Sequence, residues 1–296
     1  MRDVKAKSGA MAVAVLTSFL TRVYLAFAAV SVCLTPCLAE VTHVPLETGV
    51  LTVPSTVKVS DGWFDLVLHL HGAKDVVEEN LAVTHPKAVW VTLTLPGLSS
   101  VYRRHFENPE VFPALLAEIE RALVPVFPSQ TLRRRQLTVT SFSAGFGGVR
   151  ELLKQPDSRS EIDALLMADS LYAGFVGEVG NRLVDPDHLR PFVAFARLAV
   201  EGKKRMLLSH TQLHTPKYAS TKETADYLVE ALGGQRREKQ VVHGERLVEL
   251  NRYTEGKFAV LGFVGETGED HMQHLRQIRV LLREMKRMSG AWYPSD

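Results

Sequence analysis

The sequence predicts an α/β fold: a mostly parallel central sheet flanked by helices, with antiparallel strands at its N-terminal edge and a minimal cap. From residue 64 to residue 288, short β-rich apolar runs alternate with stretches of helical spacing, the pattern of successive βαβ units. Ahead of them, two short alternating pieces at 49–53 and 56–59 are broken by Pro54 and Asp61-Gly62, which marks antiparallel edge strands. The 296 residues are 46% hydrophobic and 23% charged, enough to bury a sizeable core and unlike a disordered, collagen-like or coiled-coil chain. A net charge of +2 leaves no electrostatic footprint for nucleic acid.

Residues 1–39 stand apart. Arg2, Lys5 and Lys7 make a basic start, a long apolar stretch from Met11 is interrupted at Thr17, Ser18, Thr21 and Arg22, and Cys37-Leu38-Ala39 ends it with small residues. That is the order of a secretory signal peptide, so the expected chain is a signal at 1–39 and a single domain at 40–296, secreted or periplasmic. The competing expectation is an uncleaved membrane anchor, although neither apolar stretch beside Arg22 makes a clean span of about 20 residues. Val32 before Cys33 and Pro36 before Cys37 are poor neighbours for a lipoprotein site. Cleavage would leave 257 of the 296 residues and, by removing four cations and one anion, a net charge of −1. It would also remove both cysteines and with them any thiol exposed to an oxidising compartment.

Within the domain, the first core strand is expected at 64–71, ending at Gly72, and the second at 88–95, ending at Pro96-Gly97. The polar stretch 74–80 between them has room for one short helix. Val111, Leu115, Leu116, Ile119 and Leu123 are spaced as a helix face. A third strand at 136–142 runs through a glycine-rich corner into a helix at 149–154, and a fourth follows at 162–168. Asp185-Pro186 opens a helix with an N-cap and a proline at its first position. After a strand at 205–209, Ser220-Thr-Lys-Glu223 is a capping box whose helix closes at Gly233-Gly234. A hairpin is expected over 246–253 and 257–264, and a final amphipathic helix over 270–288 with Leu275, Ile278, Leu281, Leu282 and Met285 on one face.

The most specific segment is Leu137-Thr-Val-Thr-Ser141-Phe-Ser143-Ala-Gly145-Phe-Gly147-Gly148. A strand turns sharply into a helix with a serine at the bend, a turn that leaves no room for side chains two residues either side and so favours G-x-S-x-G. Here Ser141 stands where the first glycine would be. The bend lifts Ser143 Oγ clear of the sheet and sets the Ala144 amide at a helix start, where backbone donors face a developing oxyanion.

A serine nucleophile needs a base and an orienting acid, here expected downstream in the order Ser, acid, His. Asp169 ends the next strand, 26 residues after Ser143, and His271 lies in the loop after the last strand, where reacting groups collect in such sheets. Upstream, His71-Gly72-Ala73 follows the first core strand and offers a second oxyanion donor, the amide of Ala73 or Gly72. On these features the chain resembles the α/β-hydrolase fold family over about residues 45–288. The resemblance implies Ser143 as nucleophile, His271 as general base and acid, and Asp169 as the orienting carboxylate. In most members the acid follows the next strand along, where this chain has Ser209-His210-Thr-Gln-Leu-His214 and no carboxylate; Asp270, beside His271, is the competitor.

The implied reaction is cleavage of an ester, small or carbohydrate-linked, through an acyl-enzyme. It needs no cofactor or metal, no nucleic acid and, after signal cleavage, no membrane; the oligomeric state is not legible. Only about 34 residues separate Asp169 from the next strand, too few for a large lid. His71, His210, Tyr102 and Arg103 are candidate pocket residues, and Arg103, Arg104, His210 and Lys217 would favour an anionic or heavily hydroxylated substrate. Two other expectations compete. His69 and His71 share a strand face and, with the His210/His214 and His271/His274 pairs, suggest a metal-dependent hydrolase. The third is a non-catalytic surface-binding protein on the same fold. His274 is expected to pack or cap, Asp185 and Asp187 to cap, and Arg133-Arg-Arg135 to lie in a solvated loop away from the site.

Overall fold

The structure, a computed structural model, describes residues 40–59, 61–178, 181–244 and 246–288. The expected export signal at 1–39 lies outside these residues.

The chain begins with the antiparallel pair β1 (Val41–Pro45) and β2 (Val50–Pro54), then enters the core at β3 (Trp63–Leu70). Helix α1 (Lys74–Thr84) leads to β4 (Val89–Leu93), and α2 (Ser99–Phe106) and α3 (Val111–Leu123) lead to β5 (Arg133–Phe142). A single 3-10 turn, Ser143–Gly145, joins β5 to α4 (Phe146–Lys154), followed by α5 (Pro156–Glu161) and β6 (Ala164–Ala168). A small ribbon of β7 (Phe175–Val176) and β8 (Leu183–Val184) precedes α6 (Pro186–Val200) and β9 (Arg205–His210). Helix α7 (Thr221–Ala231), strands β10 (Arg237–Gly244), β11 (Leu247–Glu255) and β12 (Phe258–Phe263), and helices α8 (Gly268–Arg276) and α9 (Ile278–Arg287) complete the described chain. None of these helices is long and apolar enough to cross a membrane.

The main sheet has the order β1-β2-β4-β3-β5-β6-β9-β12-β11-β10. Every contact from β4 through β12 is parallel, while β1, β2, β10 and β11 pair antiparallel at the two edges. Alternate residues of each central strand feed cores on opposite faces. Leu66, Leu68, Val89, Val91, Val139, Leu165 and Leu208 join the helices α2, α3, α4, α6 and α7 on one side. Val67, Trp90, Leu166, Leu207 and Leu261 join α1, α8 and α9 on the other. The near-continuous apolar runs that identified the strands in the sequence are therefore the signature of a sheet covered twice.

Four local expectations change. Residues 56–59 are not a strand: Val57 N donates to Pro54 O at 3.0 Å, so the chain turns after β2 while Val57 and Val59 still enter the core. The partner of β2 is β1, ahead of it. Residues 99–106, to which the sequence assigned no element, form α2 because Tyr102 and Phe106, four apart, are both fully buried on one face. The final helix is two helices broken at Gln277, whose backbone leaves the helical region at φ −118 and ψ 27. Strand β10 was missed because its Arg-Glu-Lys-Gln start is exposed, and an edge strand facing water on both sides carries no apolar alternation.

Candidate active site

The sheet register brings the chemistry together. Leu70 pairs with Ser141, Phe142 with Ala168, and Ala168 with Ser209, so β3, β5, β6 and β9 end side by side at their carboxyl ends. The residues just beyond these ends are strained. Among the described residues four non-glycines have positive φ, and three of them, His71 (71°), Ser143 (46°) and Asp169 (43°), follow β3, β5 and β6. Left-handed backbone costs a non-glycine residue about 1 kcal/mol or more. Clustering of such residues at adjacent strand ends marks a functional site.

Ser143 opens the 3-10 turn at a sharp strand-to-helix bend. A Cβ at Gly145 would lie 2.3 Å from Leu70 O, so the second elbow glycine is required by the close approach of β3. The serine at position 141 is accommodated by pointing inward. Ser170 Oγ donates to Ser143 O at 2.9 Å, and Ser141 Oγ lies 2.6 Å from Ser170 Oγ. Because Ser170 has one hydroxyl hydrogen and spends it on Ser143 O, Ser141 is the donor to Ser170. A hydroxyl relay thus braces the bend where a glycine would have left a gap.

Asp169 is completely buried, and His271 Nδ1 lies 2.7 Å from its Oδ2. The same carboxylate accepts from the Thr211 amide and the Thr211 hydroxyl, each at 3.0 Å, and from the Thr221 hydroxyl. Burial alone would raise this carboxyl; the His274 and His271 imidazoles and the Thr221 hydroxyl outweigh it and hold the group well below the usual carboxylate range. Asp270 turns away from the site to close a capping box, its Oδ2 accepting from Thr267 N at 3.0 Å. His274 is buried behind the acid, its Nδ1 2.8 Å from Ser209 Oγ, which in turn accepts from Asp169 N at 3.2 Å.

The ring of Phe142, the residue before Ser143, stacks on His271 at 4.5 Å and on His71 at 6.3 Å. Burial and the nearby His271 depress His71 below its ordinary value. Its Nδ1 lies 3.1 Å from Tyr102 Oη. Gly72, at φ +140, packs against the Leu275 side chain, and Ala73 caps α1.

Ser143 and Ala144 line a cavity of about 340 Å³ whose other walls include Phe146, Arg150, Tyr172, His188 and Tyr218. None of the four expected pocket residues, His71, Tyr102, His210 and Arg103, belongs to this lining. Tyr102 is fully buried beneath His71. His210 is fully buried, its Nδ1 2.8 Å from Thr211 O and its Nε2 against Arg236. Arg103 pairs with Glu107 along α2 at 3.3 Å, and Lys217 is exposed. The histidine pair proposed for metal is committed elsewhere: His69 Nδ1 lies 2.7 Å from Thr140 Oγ1 and Nε2 2.8 Å from His71 O. With both nitrogens used, His69 has no lone pair for a cation. No group of three or more candidate ligands forms among the described residues.

The sequence reasoning missed Arg150, Thr211 and Thr221. Arg150 had a signal: Phe146, Val149, Arg150 and Leu153 share one helix face by spacing, an arginine among core positions. The threonines had none, since their meeting with Asp169 spans 42 and 52 residues.

The strand order, the elbow after the central strand, and a histidine after the last parallel strand that bonds an acid after the next one decide the architecture. The chain has the α/β-hydrolase fold. No family model matches the chain, and no curated protein matches it. Among solved structures, it is similar to the carboxylesterase CesB from Bacillus subtilis (11% identity, 92% of this chain and 99% of that one, TM-score 0.44). It is also similar to carboxyl esterase 2 from the mycorrhizal fungus Tuber melanosporum (9%, 87% and 89%, TM-score 0.45). A haloalkane dehalogenase from Bradyrhizobium elkani is another such neighbour (8%, 84% and 99%, TM-score 0.39). At these values the chemistry of this chain rests on its own residues.

Proposed function

We propose that this protein is a serine hydrolase that cleaves small esters through an acyl-enzyme. The observation that supports it most is the 2.7 Å contact of His271 Nδ1 with the buried Asp169 carboxylate, next to the Phe142-Ser143 bend. With Nδ1 held there, Nε2 is the basic nitrogen. It takes the Ser143 proton as Oγ attacks the ester carbonyl, and the carbonyl oxygen becomes an oxyanion received by the amides of Ala144 and of Ala73 or Gly72. Collapse expels the alcohol, which takes the proton from Nε2 and leaves Ser143 acylated. A water, deprotonated by the same nitrogen, then attacks the acyl carbonyl and releases the acid and free Ser143. Asp169 fixes the imidazole tautomer and stabilises the imidazolium.

A cavity of about 340 Å³ suits a small ester, including one borne by a carbohydrate, better than a long-chain triglyceride. The basic, apolar and small-residue order of residues 1–39 supports export as part of the same proposal.

The test is labelling with a fluorophosphonate, followed by peptide mapping. The expected result is an adduct on Ser143 that is lost in His271→Ala. A folded protein that takes no label at Ser143 overturns the proposal and favours a binding protein on the same fold.

A further inference from the structure

Arg150 projects from α4 into the wall of the cavity that Ser143 lines. It is 8% exposed, yet no carboxylate, carbonyl or hydroxyl among the described residues accepts a hydrogen bond from it, and its Nη1 is fully enclosed without a partner. The Phe146 ring lies 5.3 Å from the guanidinium carbon. A ring face attracts the cation but satisfies none of the five in-plane N–H donors. A buried charge without an ion pair is costly and is rare in protein interiors.

The acids nearby are committed elsewhere. Glu151 binds Lys154 at 2.9 Å, and Asp185 accepts from Asp187 N at 2.9 Å and lies 3.5 Å from His188 Nε2. His188, which lines the same cavity, accepts from Gly174 N through Nδ1 at 2.9 Å, so Nε2 carries the ring hydrogen and faces Asp185 Oδ2 at 3.5 Å. Burial lowers Arg150 from its ordinary value and the Arg103 cation lowers it further, against the opposing pull of the Glu151 and Asp185 carboxylates. Arg150 therefore brings N–H donors to the wall of a pocket in which no group among the described residues accepts from them.

Position completes the argument. Arg150 is seven residues beyond Ser143, and helical side chains lean toward the N-terminus. The guanidinium accordingly hangs over Phe146, on the elbow side of its own Cα. A group bound there is held a short reach from the ester carbonyl at Ser143. The planar guanidinium fork matches a carboxylate in two parallel hydrogen bonds. A single enclosed cation balances a monoanion, whereas a phosphate monoester dianion would leave charge uncompensated in the cavity.

We propose that Arg150 is the specificity-determining residue of this site and that the substrate is an ester carrying a free carboxylate, docked on the Arg150 guanidinium while Ser143 attacks. This rests on the serine-hydrolase reading for the reaction but not for the anion site.

The experiment compares isosteric pairs that differ only in charge: monomethyl adipate against methyl adipamate for a carboxylate on the acyl side, and 4-acetoxybenzoate against 4-acetoxybenzamide for one on the alcohol side. The expected result is a preference for the acid of about tenfold or more in kcat/KM in one pair, carried mainly by KM. Arg150→Gln should bring that ratio close to one, chiefly by raising the acid's KM. Because the guanidinium has no structural partner, Arg150→Met should fold with a Tm equal to or above that of the parent. A ratio near one in both pairs, or one that survives Arg150→Gln, overturns the proposal. So does a large fall of Tm in Arg150→Met, which would make the arginine structural. Binding of the same compounds to Ser143→Ala, with and without Arg150→Gln, separates the two readings. Acid-selective binding lost with Arg150, in a protein whose Ser143 takes no fluorophosphonate, keeps the anion site and sinks the hydrolase.

Discussion

His271 Nδ1 lies 2.7 Å from Asp169 Oδ2, across 102 residues of chain. Each end of that contact is independently anchored. Asp169 is held by the Thr211 amide and hydroxyl and by Thr221, and His271 by the Phe142 ring on which it stacks. The pair is therefore preorganised, a condition for an imidazole to act without first paying to orient itself.

Replacing Asp169 by Asn keeps the shape but offers an N–H₂ where His271 needs an acceptor. The expected loss in kcat is about 10³–10⁴-fold, measured on any ester the protein turns over. Asp270→Ala should leave kcat within about twofold and instead cost roughly 0.5–1 kcal/mol of stability through the lost capping box. The reverse pattern would make Asp270 the working acid.

Ser141 and Ser170 form a relay to the Ser143 carbonyl, and removing the Ser170 hydroxyl strands that of Ser141. Ser170→Ala is expected to destabilise by about 1–3 kcal/mol, since it leaves Ser141 Oγ buried and unpaired. The double variant with Ser141→Ala should recover part of that cost. Additive single effects in urea denaturation would show that the two hydroxyls are not coupled.

Gly145→Ala would push a methyl to 2.3 Å from Leu70 O, and neither backbone has room to yield. The expectation is a loss of about 1–3 kcal/mol or more together with slower labelling of Ser143. Gly268→Ala is the control: nothing lies within 4 Å of a Cβ there, so stability should change by no more than about 0.5 kcal/mol.

Four buried histidines set an acid limit on stability. Burial lowers His69, His210 and His274 from 6.5 to about 4 and His85 to about 3. Below 6.5 the unfolded chain binds protons that the folded chain refuses, so stability is full above 6.5 and falls as the pH drops toward 4. The slope is up to about 1.4 kcal/mol per pH unit for each imidazole. The depressed Asp169 carboxyl acts in a separate window, its stabilisation being lost only below the ordinary carboxylate range. Urea denaturation at pH 7.5, 5.5 and 4.5 should show the fall, and His85→Gln should reduce its slope by about one proton. A midpoint that does not move between pH 7.5 and 4.5 would contradict the neutral, buried state of these rings.

Much of the architecture was legible in the sequence because it depends on local physics. Apolar runs at 64–71, 88–95, 136–142 and 162–168 identify doubly covered strands, and Ser220 with Glu223 announces a helix start that the structure contains as a capping box. Segments whose residues face solvent were not legible. Strand β10 begins with four exposed polar residues, and α2 buries only Tyr102 and Phe106 of its eight, so neither carries an apolar pattern of its own.

By itself the sequence determined the alternation of strands and helices, the small-residue bend around Ser143, and the chain order of serine, acid and histidine, since each follows from spacing along a few residues. Only the tertiary structure decided which acid meets His271, that His210 and Tyr102 turn inward, that His69 spends both nitrogens on its own strand's surroundings, and that Arg150 faces the cavity unpaired. Those outcomes depend on contacts between residues tens to a hundred positions apart, set by strand register and helix packing. A spacing rule cannot see them, because the free energy that fixes them comes from burial and hydrogen bonds that exist only once the sheet has assembled.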